Sequence, residues 1–309
     1  MTGVPAELRT WVDDIGVLSG AGGIEKFVHV PDVAAALVFR TTGEGRSDLI
    51  VVGPRSRGSY HPGKPLPVCI RLRVRPGRSR VLFGLPINEL ADRAIPLTDL
   101  WGVRGRRLAD DLAAAPDRAL TRIAAALHER DTGTPDGAAL ESAMRVLSSG
   151  APIAAAAAQL GISERQLRNV FARDIGLSPK HFARIARLRR VLALANDQRA
   201  TGDPGRARAE GDPGWARVVA NAGWAGAAGD PGRAQAAGDG GWAGAGVDPG
   251  WARVAGDLGY FDQAHMISDF RALMGVSPGA FVAGRLPPVS PCMELSRARH
   301  RPAGLRSAA

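Results

Sequence analysis

Arg165, Arg168 and Asn169, three side chains that can each offer a pair of hydrogen-bonding groups, fall within one helical turn in the segment Ser163-Glu-Arg-Gln-Leu-Arg-Asn-Val-Phe171. Read as a helix, the segment turns them away from Leu167, Val170 and Phe171, so one face is apolar and the other carries donors. A guanidinium matches the two acceptors of a guanine edge and a carboxamide matches adenine, each pair discriminating by about 1–3 kcal/mol. The plain alternative is a solvated helix face or phosphate contact, because about half or more of protein–DNA hydrogen bonds go to the backbone. A second, chemically poorer set lies at residues 262–271. There Gln263 can read adenine, Ala264 or Ile267 can touch a thymine methyl, Ser268 is a small polar reader, and Arg271 suits the backbone. Asp262 fits a helix N-cap better than a DNA contact, since a carboxylate repels phosphate and favours a helix N-terminus. His265 is expected to be a neutral surface histidine.

The elements that hold these two sets repeat. Phe171-Ala-Arg-Asp-Ile-Gly-Leu-Ser-Pro-Lys-His-Phe182 and Phe270-Arg-Ala-Leu-Met-Gly-Val-Ser-Pro-Gly-Ala-Phe281 share the pattern F-x4-G-[LV]-S-P-x2-F. Gly176 or Gly275 can end a helix in the left-handed conformation, Ser178 or Ser277 can cap the next, and Pro179 or Pro278 suits its first turn. Ahead of the first copy, Ala157, Leu160, Ile162, Leu167 and Val170 sit where a helix-turn-helix buries apolar groups, with Gly161 at the turn and Ser163 as cap. Ahead of the second, Ala255, Leu258, Gly259, Tyr260, Met266 and Phe270 take corresponding places, with one more residue after the turn glycine.

Two helix-turn-helix units, the extra residue in the second and the paired endings resemble the DNA-binding domain of the AraC/XylS family of bacterial transcription regulators, over residues 138–283 apart from an insertion. One such unit is common by chance; two with this ending are not. The resemblance implies a long helix joining the units, and Phe182, Ile185, Leu188, Leu192 and Ala195 supply its apolar spacing. It implies two recognition helices in successive major grooves, roughly 34 Å apart on one DNA face. Arg165, Arg168 and Asn169 match base-contacting positions of that family, whereas Ser268 stands where it frequently has a basic residue.

Charge agrees with this reading. The net charge is +10, and residues 163–190 hold Arg165, Arg168, Arg173, Lys180, Arg184, Arg187, Arg189 and Arg190 against Glu164 and Asp174. Ser163, Arg173, Lys180, Arg184 and Arg271 are the expected phosphate contacts, and affinity should fall with log salt at a slope of about −0.9 per phosphate neutralised by the basic ones.

Residues 202–246 run in nines, GDPGRARAE, GDPGWARVV, ANAGWAGAA, GDPGRAQAA, GDGGWAGAG, with tryptophan or arginine at the fifth place; the next copy, VDPGWARVA, begins the second helix-turn-helix. Glycine and proline at this density resist helix and give few bulky apolar groups to offset ordering, so a flexible loop is expected. Calcium-binding nonapeptide repeats need a different order of glycine and aspartate. Loop-closure entropy grows only logarithmically, so the insertion need not disconnect the two units.

The N-terminal third reads differently. Residues 34–39, 48–52 and 67–74 are strand-like, the last alternating Val68, Ile70, Leu72 and Val74 with Cys69, Arg71 and Arg73. Helices are expected near residues 86–93 and 97–102, and residues 116–130 have helical periodicity through Leu120, Ile123, Ala124 and Leu127, able to dock on this domain or on a second copy of the chain. The run Arg71, Arg73, Arg75, Arg78 and Arg80 can meet an anion, and more often forms a solvated face. The layout is similar to the sensor-like domain ahead of the DNA-binding units in some relatives, which implies a small-molecule effector or homodimer contact there, and RNA polymerase as a further partner.

The fold expected is therefore α+β. A β-rich, barrel-like domain spans residues 1–112, a helix and linker 113–137, and an all-α DNA-binding domain 138–284, followed by a disordered tail, 285–309. Within the DNA-binding domain lie the first helix-turn-helix (153–173), the linker helix (179–196), the insertion (202–246) and the second helix-turn-helix (249–271). Cys69 and Cys292 are isolated, so no disulfide framework is implied and a reducing cytoplasm fits. No run of 18 apolar residues or charged start with an apolar stretch suggests a membrane span or export. No nucleophile elbow, phosphate loop or metal-spaced Cys/His set appears, so no catalytic residue, metal or cofactor is expected. His29 and His61 have no clustered partners. The alternatives are a DNA-repair enzyme that joins such a unit to a methyl-accepting cysteine, for which Cys292 has nothing nearby to lower its pKa, and an unspecific DNA-packaging protein.

Overall fold

Period-two alternation and short turns build the N-terminal half. In the computed structural model, which describes residues 4–19, 26–42, 45–63, 66–130, 137–201 and 251–290, the strands are β1 (Val12–Ser19), β2 (Lys26–His29), β3 (Ala36–Thr41), β4 (Ser47–Val52), β5 (Ser59–Pro62), β6 (Val68–Val74) and β7 (Ala94–Pro96). Five form one antiparallel sheet in the order β1-β6-β3-β4-β7, and β2 pairs with β5 in a separate ribbon. The larger sheet stays open at β1 and β7 and does not close into a barrel. Register sets Leu37 opposite Leu72 and Phe39 opposite Ile70, so their side chains share the buried face.

Short helices α1 (Ser79–Phe83) and α2 (Leu97–Trp101) and the longer α3 (Val103–Ala114) and α4 (Ala119–His128) cover that face. Leu82, Phe83, Leu97, Leu108, Leu112, Ile123 and Leu127 join Leu37, Phe39, Val51 and Leu72 in one apolar core. Helix α4 thus docks on the sheet domain. The helix expected near residues 86–93 is a single 3-10 turn at Ile87–Glu89, and Asp92, with a left-handed φ of 55°, ends any continuation.

The C-terminal half is helical: α5 (Ala138–Ser148), α6 (Ile153–Gln159), α7 (Glu164–Asp174), α8 (Pro179–Thr201), α9 (Trp251–Asp257), α10 (Gln263–Met274) and α11 (Pro278–Val282). The recurring motif has a packing meaning. Its first and last phenylalanines meet edge to face in both copies, Phe171 with Phe182 at 5.5 Å and Phe270 with Phe281 at 5.8 Å between ring centres. Gly176 and Gly275 both hold positive φ between them. A single core runs through both units and takes in Val28, Val30, Val33 and Tyr60 from the ribbon region of the N-terminal half.

The repeat array at 202–246, the linker residues 131–136, Cys292 and the side chain of Ala195 lie outside the described residues. Of the tail expected to be disordered, residues 285–290 are described: the Ser290 amide donates to the Tyr60 carbonyl at 2.8 Å, which ties the tail to β5. No helix among the described residues is long and apolar enough to cross a membrane.

Candidate nucleic-acid interface

Local capping fixes where α7 begins. The Gln166 amide donates to Ser163 Oγ at 3.2 Å while the Ser163 amide donates to Gln166 Oε1 at 2.9 Å, a reciprocal pair that satisfies two free donors of the first turn. Leu167 and Phe171 are then driven fully inside, and Arg165, Arg168 and Asn169 stand on the exposed side. Arg168 contacts Glu164 at 3.3 Å, both side chains being about half exposed. The Ser163 hydroxyl is exposed but engaged in the cap. Arg173 is tied to Asp174 at 2.8 Å, and that hydrogen bond and the carboxylate's charge push the guanidinium pKa up. Lys180 is exposed on the first turn of α8.

The second helix-turn-helix is capped as its sequence implies, with Asp262 Oδ1 accepting from the His265 amide at 2.7 Å. Ala264, His265, Ser268 and Arg271 are exposed, and Gln263 and Ile267 half-buried. Among these side chains Arg271 carries the one guanidinium and there is no lysine, so the face offers little to phosphate.

What joins the two units is an ionic contact that the sequence did not mark. Asp269, on the inner side of α10 and 8% exposed, accepts from Arg184 Nε at 2.9 Å and lies 3.6 Å from Arg187 Nη2, both arginines belonging to α8. The Arg187 guanidinium also stacks 4.7 Å over the ring of Tyr260, whose hydroxyl pKa burial pushes up to about 12. Arg184, expected at a phosphate, is therefore committed to holding α10 against α8. The one legible sign was an acid at an inward position, between the buried Met266 and Phe270.

The same helices meet the N-terminal domain at several points. Asp174, at the end of α7, accepts from Arg80 at 2.5 Å, and His181 Nε2 lies 2.9 Å from the Ser56 carbonyl. Gly176 has no room for a side chain, since a Cβ there would come within 2.9 Å of the Ile87 carbonyl. At the end of α10, Tyr60 Oη donates to the Met274 carbonyl at 2.6 Å and the Gly58 amide to the Leu273 carbonyl at 2.7 Å.

Arg71 and Arg73, expected on a solvated face, are instead drawn into this seam. Asp32, 2% exposed, receives Arg73 at 2.9 Å, Arg189 of α8 at 3.3 Å and Arg71 at 3.7 Å. Burial alone would raise the Asp32 pKa, but the charges of Arg73, Arg189 and Arg71 outweigh it and hold the carboxyl well below the usual range. Burial, with Arg71 and Arg189 nearby, pushes neighbouring Arg55 down to about 10. A cleft of about 500 Å³ opens beside them, lined by Arg55, Ser56, Arg57, Gly58, Ser59 and Asp92.

Comparison with known proteins adds the following. Solved structures of ToxT from Vibrio cholerae are among those similar to this chain: one at 8% identity covers 89% of this chain and 98% of its own, with a TM-score of 0.36. A second crystal form stands at 9% identity, 88% and 97% coverage and 0.36, and ToxT bound to (E)-4-(8-methylnaphthalen-1-yl)but-3-enoic acid at 9%, 88%, 97% and 0.35. No family profile and no curated protein matches the chain.

The sequence candidates thus fall into two groups by environment. Arg165, Asn169, Lys180, Ala264, Ser268 and Arg271 are exposed with no ionic or hydrogen-bonded side-chain partner among the described residues, and Gln263 is half-buried, whereas Arg168, Arg173 and Arg184 have acidic partners and Ser163 is used in its cap. His29 and His61 approach each other, ring centres 5.3 Å apart, yet no group of three metal-ligating side chains occurs among the described residues.

Proposed function

We propose that the chain is a sequence-specific DNA-binding transcription regulator of the AraC/XylS type, its C-terminal half reading two adjacent major-groove segments of double-stranded DNA. The observation that carries the reading is the pair of capped helices, α7 and α10, each presenting an exposed face and each fixed to α8, α10 by Asp269 and α7 by the shared core. Two readers locked to one strut demand two half-sites at one spacing, which unspecific packaging does not need. Arg165, Arg168 and Asn169 are assigned to bases at the first half-site, Gln263, Ala264 and Ser268 to bases at the second, and Ser163, Arg173, Lys180 and Arg271 to phosphates. The N-terminal domain takes an effector or a second copy, and the seam that ties it to α7, α8 and α10 is the route by which either would act. RNA polymerase is the further partner of such a regulator, and the cytoplasm its place.

Selection of bound duplexes from a random pool, followed by competition against bulk DNA, tests this. One sequence preferred by about 10³-fold or more supports regulation; equal binding to all duplexes would leave the packaging alternative.

A further inference from the structure

Phe261 is 93% exposed, whereas the other large apolar side chains that reach the surface among the described residues, Val17, Val103, Leu194 and Val289, range from 36% to 55%. Its position makes this exposure informative. It directly precedes Asp262, the N-cap of α10, and an apolar residue there ordinarily folds onto the fourth residue of the helix as a staple. That residue is Met266, already fully buried, and Phe261 does not pack on it. Tyr260 has turned inward, 6% exposed beneath Arg187, and the ring that follows it points to solvent. One and two helical turns further along stand Ala264 and Ser268, both exposed. The outer edge of α10 therefore begins with an unpartnered aromatic ring and continues with small side chains that let another surface come close.

We propose that Phe261 is a specificity-determining residue, packing its ring with Ala264 against thymine C5-methyl groups at the start of the second half-site. Aromatic and alanyl side chains recognise thymine by apolar contact with that methyl, and the N-terminal residues of a recognition helix are those that meet base edges. This also supplies what α10 otherwise lacks: a reader with no arginine or lysine in its first two turns gains selectivity from methyl burial. The proposal rests on α10 entering a major groove as proposed above.

The test uses the full chain and its best selected duplex, with each thymine of the second half-site replaced in turn by deoxyuridine, which removes only the methyl. At one or more positions wild type is expected to lose about fourfold per methyl, the equivalent of ~0.8 kcal/mol. Phe261→Ala is expected to bind the thymine duplex as weakly as wild type binds the deoxyuridine one and to be indifferent to the replacement, with Phe261→Leu between them. Arg165→Ala should keep the methyl effect while losing discrimination at the first half-site. A second half-site without thymine, wild type indifferent to deoxyuridine, or Phe261→Ala retaining the full thymine preference would each overturn the proposal. Were wild type to prefer no sequence at all, the groove reading itself would fall, and this one with it. Because the ring touches little of the core, unchanged thermal melting of the variants separates lost contact from lost fold.

Discussion

Arg168 and Glu164 make an exposed pair one turn apart, a contact worth about 0.3–0.5 kcal/mol and further weakened by salt. A base edge offering two acceptors to the same guanidinium is worth about 1–3 kcal/mol of discrimination, so under the proposed function the surface pair would yield to such an edge. Arg165→Ala and Arg168→Ala are accordingly expected to cost that much at particular base pairs and little elsewhere, measured on duplexes with single substitutions across the selected site. Lys180→Ala is expected to behave in the opposite sense, weakening all duplexes alike and reducing the slope of log affinity against log salt by about 1. Uniform weakening by the two arginine variants would move them from bases to phosphates.

Among the elements, α8 seats α10, because Arg184 and Arg187 on one of its sides both engage Asp269. In Asp269→Asn the two guanidiniums lose their counter-charge, yet they are 26% and 19% exposed, so the stability loss should stay below the 3–5 kcal/mol of a fully buried broken pair. Half-site spacing should show the larger effect. Wild type is expected to bind poorly when five base pairs separate the half-sites from their best spacing, and the variant to lose several-fold less, with a steeper salt dependence as the freed arginines reach phosphate. Removing residues 202–246 should leave the spacing preference of wild type intact, since the contacts that seat α10 on α8 come from outside that segment; a changed preference in the same spacer series would count against this. Capping explains why so much here was legible from sequence: Ser163, Ser178, Asp262 and Ser277 act on amides three residues away, so local chemistry marks where α7, α8, α10 and α11 begin. The pairing of Asp269 was not legible, because its partner Arg184 lies 85 positions upstream, beyond a stretch of repeats. Strands β1, β2, β5 and β7 were missed for a related reason: short or weakly alternating, they are strands by virtue of neighbours distant in sequence.

At the scale of the whole molecule, the seam around Asp32 joins the two halves. The carboxylate is held by Arg73 from the sheet and by Arg189 from α8, while Arg189 also donates to the Pro31 carbonyl at 3.2 Å. Alternation in β6 suggested that Arg73 faced water; it is instead 7% exposed, its guanidinium paired with Asp32 and Asp13. A charge set of this kind makes folding depend on pH in a definite direction. The Asp32 pKa is lower in the folded chain than the value of about 3.9 expected when unfolded. Its contribution is therefore complete above that unfolded value and is lost as pH falls from there toward the folded one. Asp32→Asn keeps the shape and removes the charge, leaving Arg73 and Arg189 without their shared acceptor charge. Denaturant unfolding at a series of pH values is expected to show wild type well above the variant from pH 5 to 7, by roughly 3–5 kcal/mol for a buried pair broken on one side, with the two curves converging in acid. A gap that stayed the same from pH 7 down into acid would mean that the carboxylate is not what holds the seam. If the gap closes while α7 and α10 still bind DNA in Asp32→Asn, the seam stabilises the union of the halves without being required by the readers themselves.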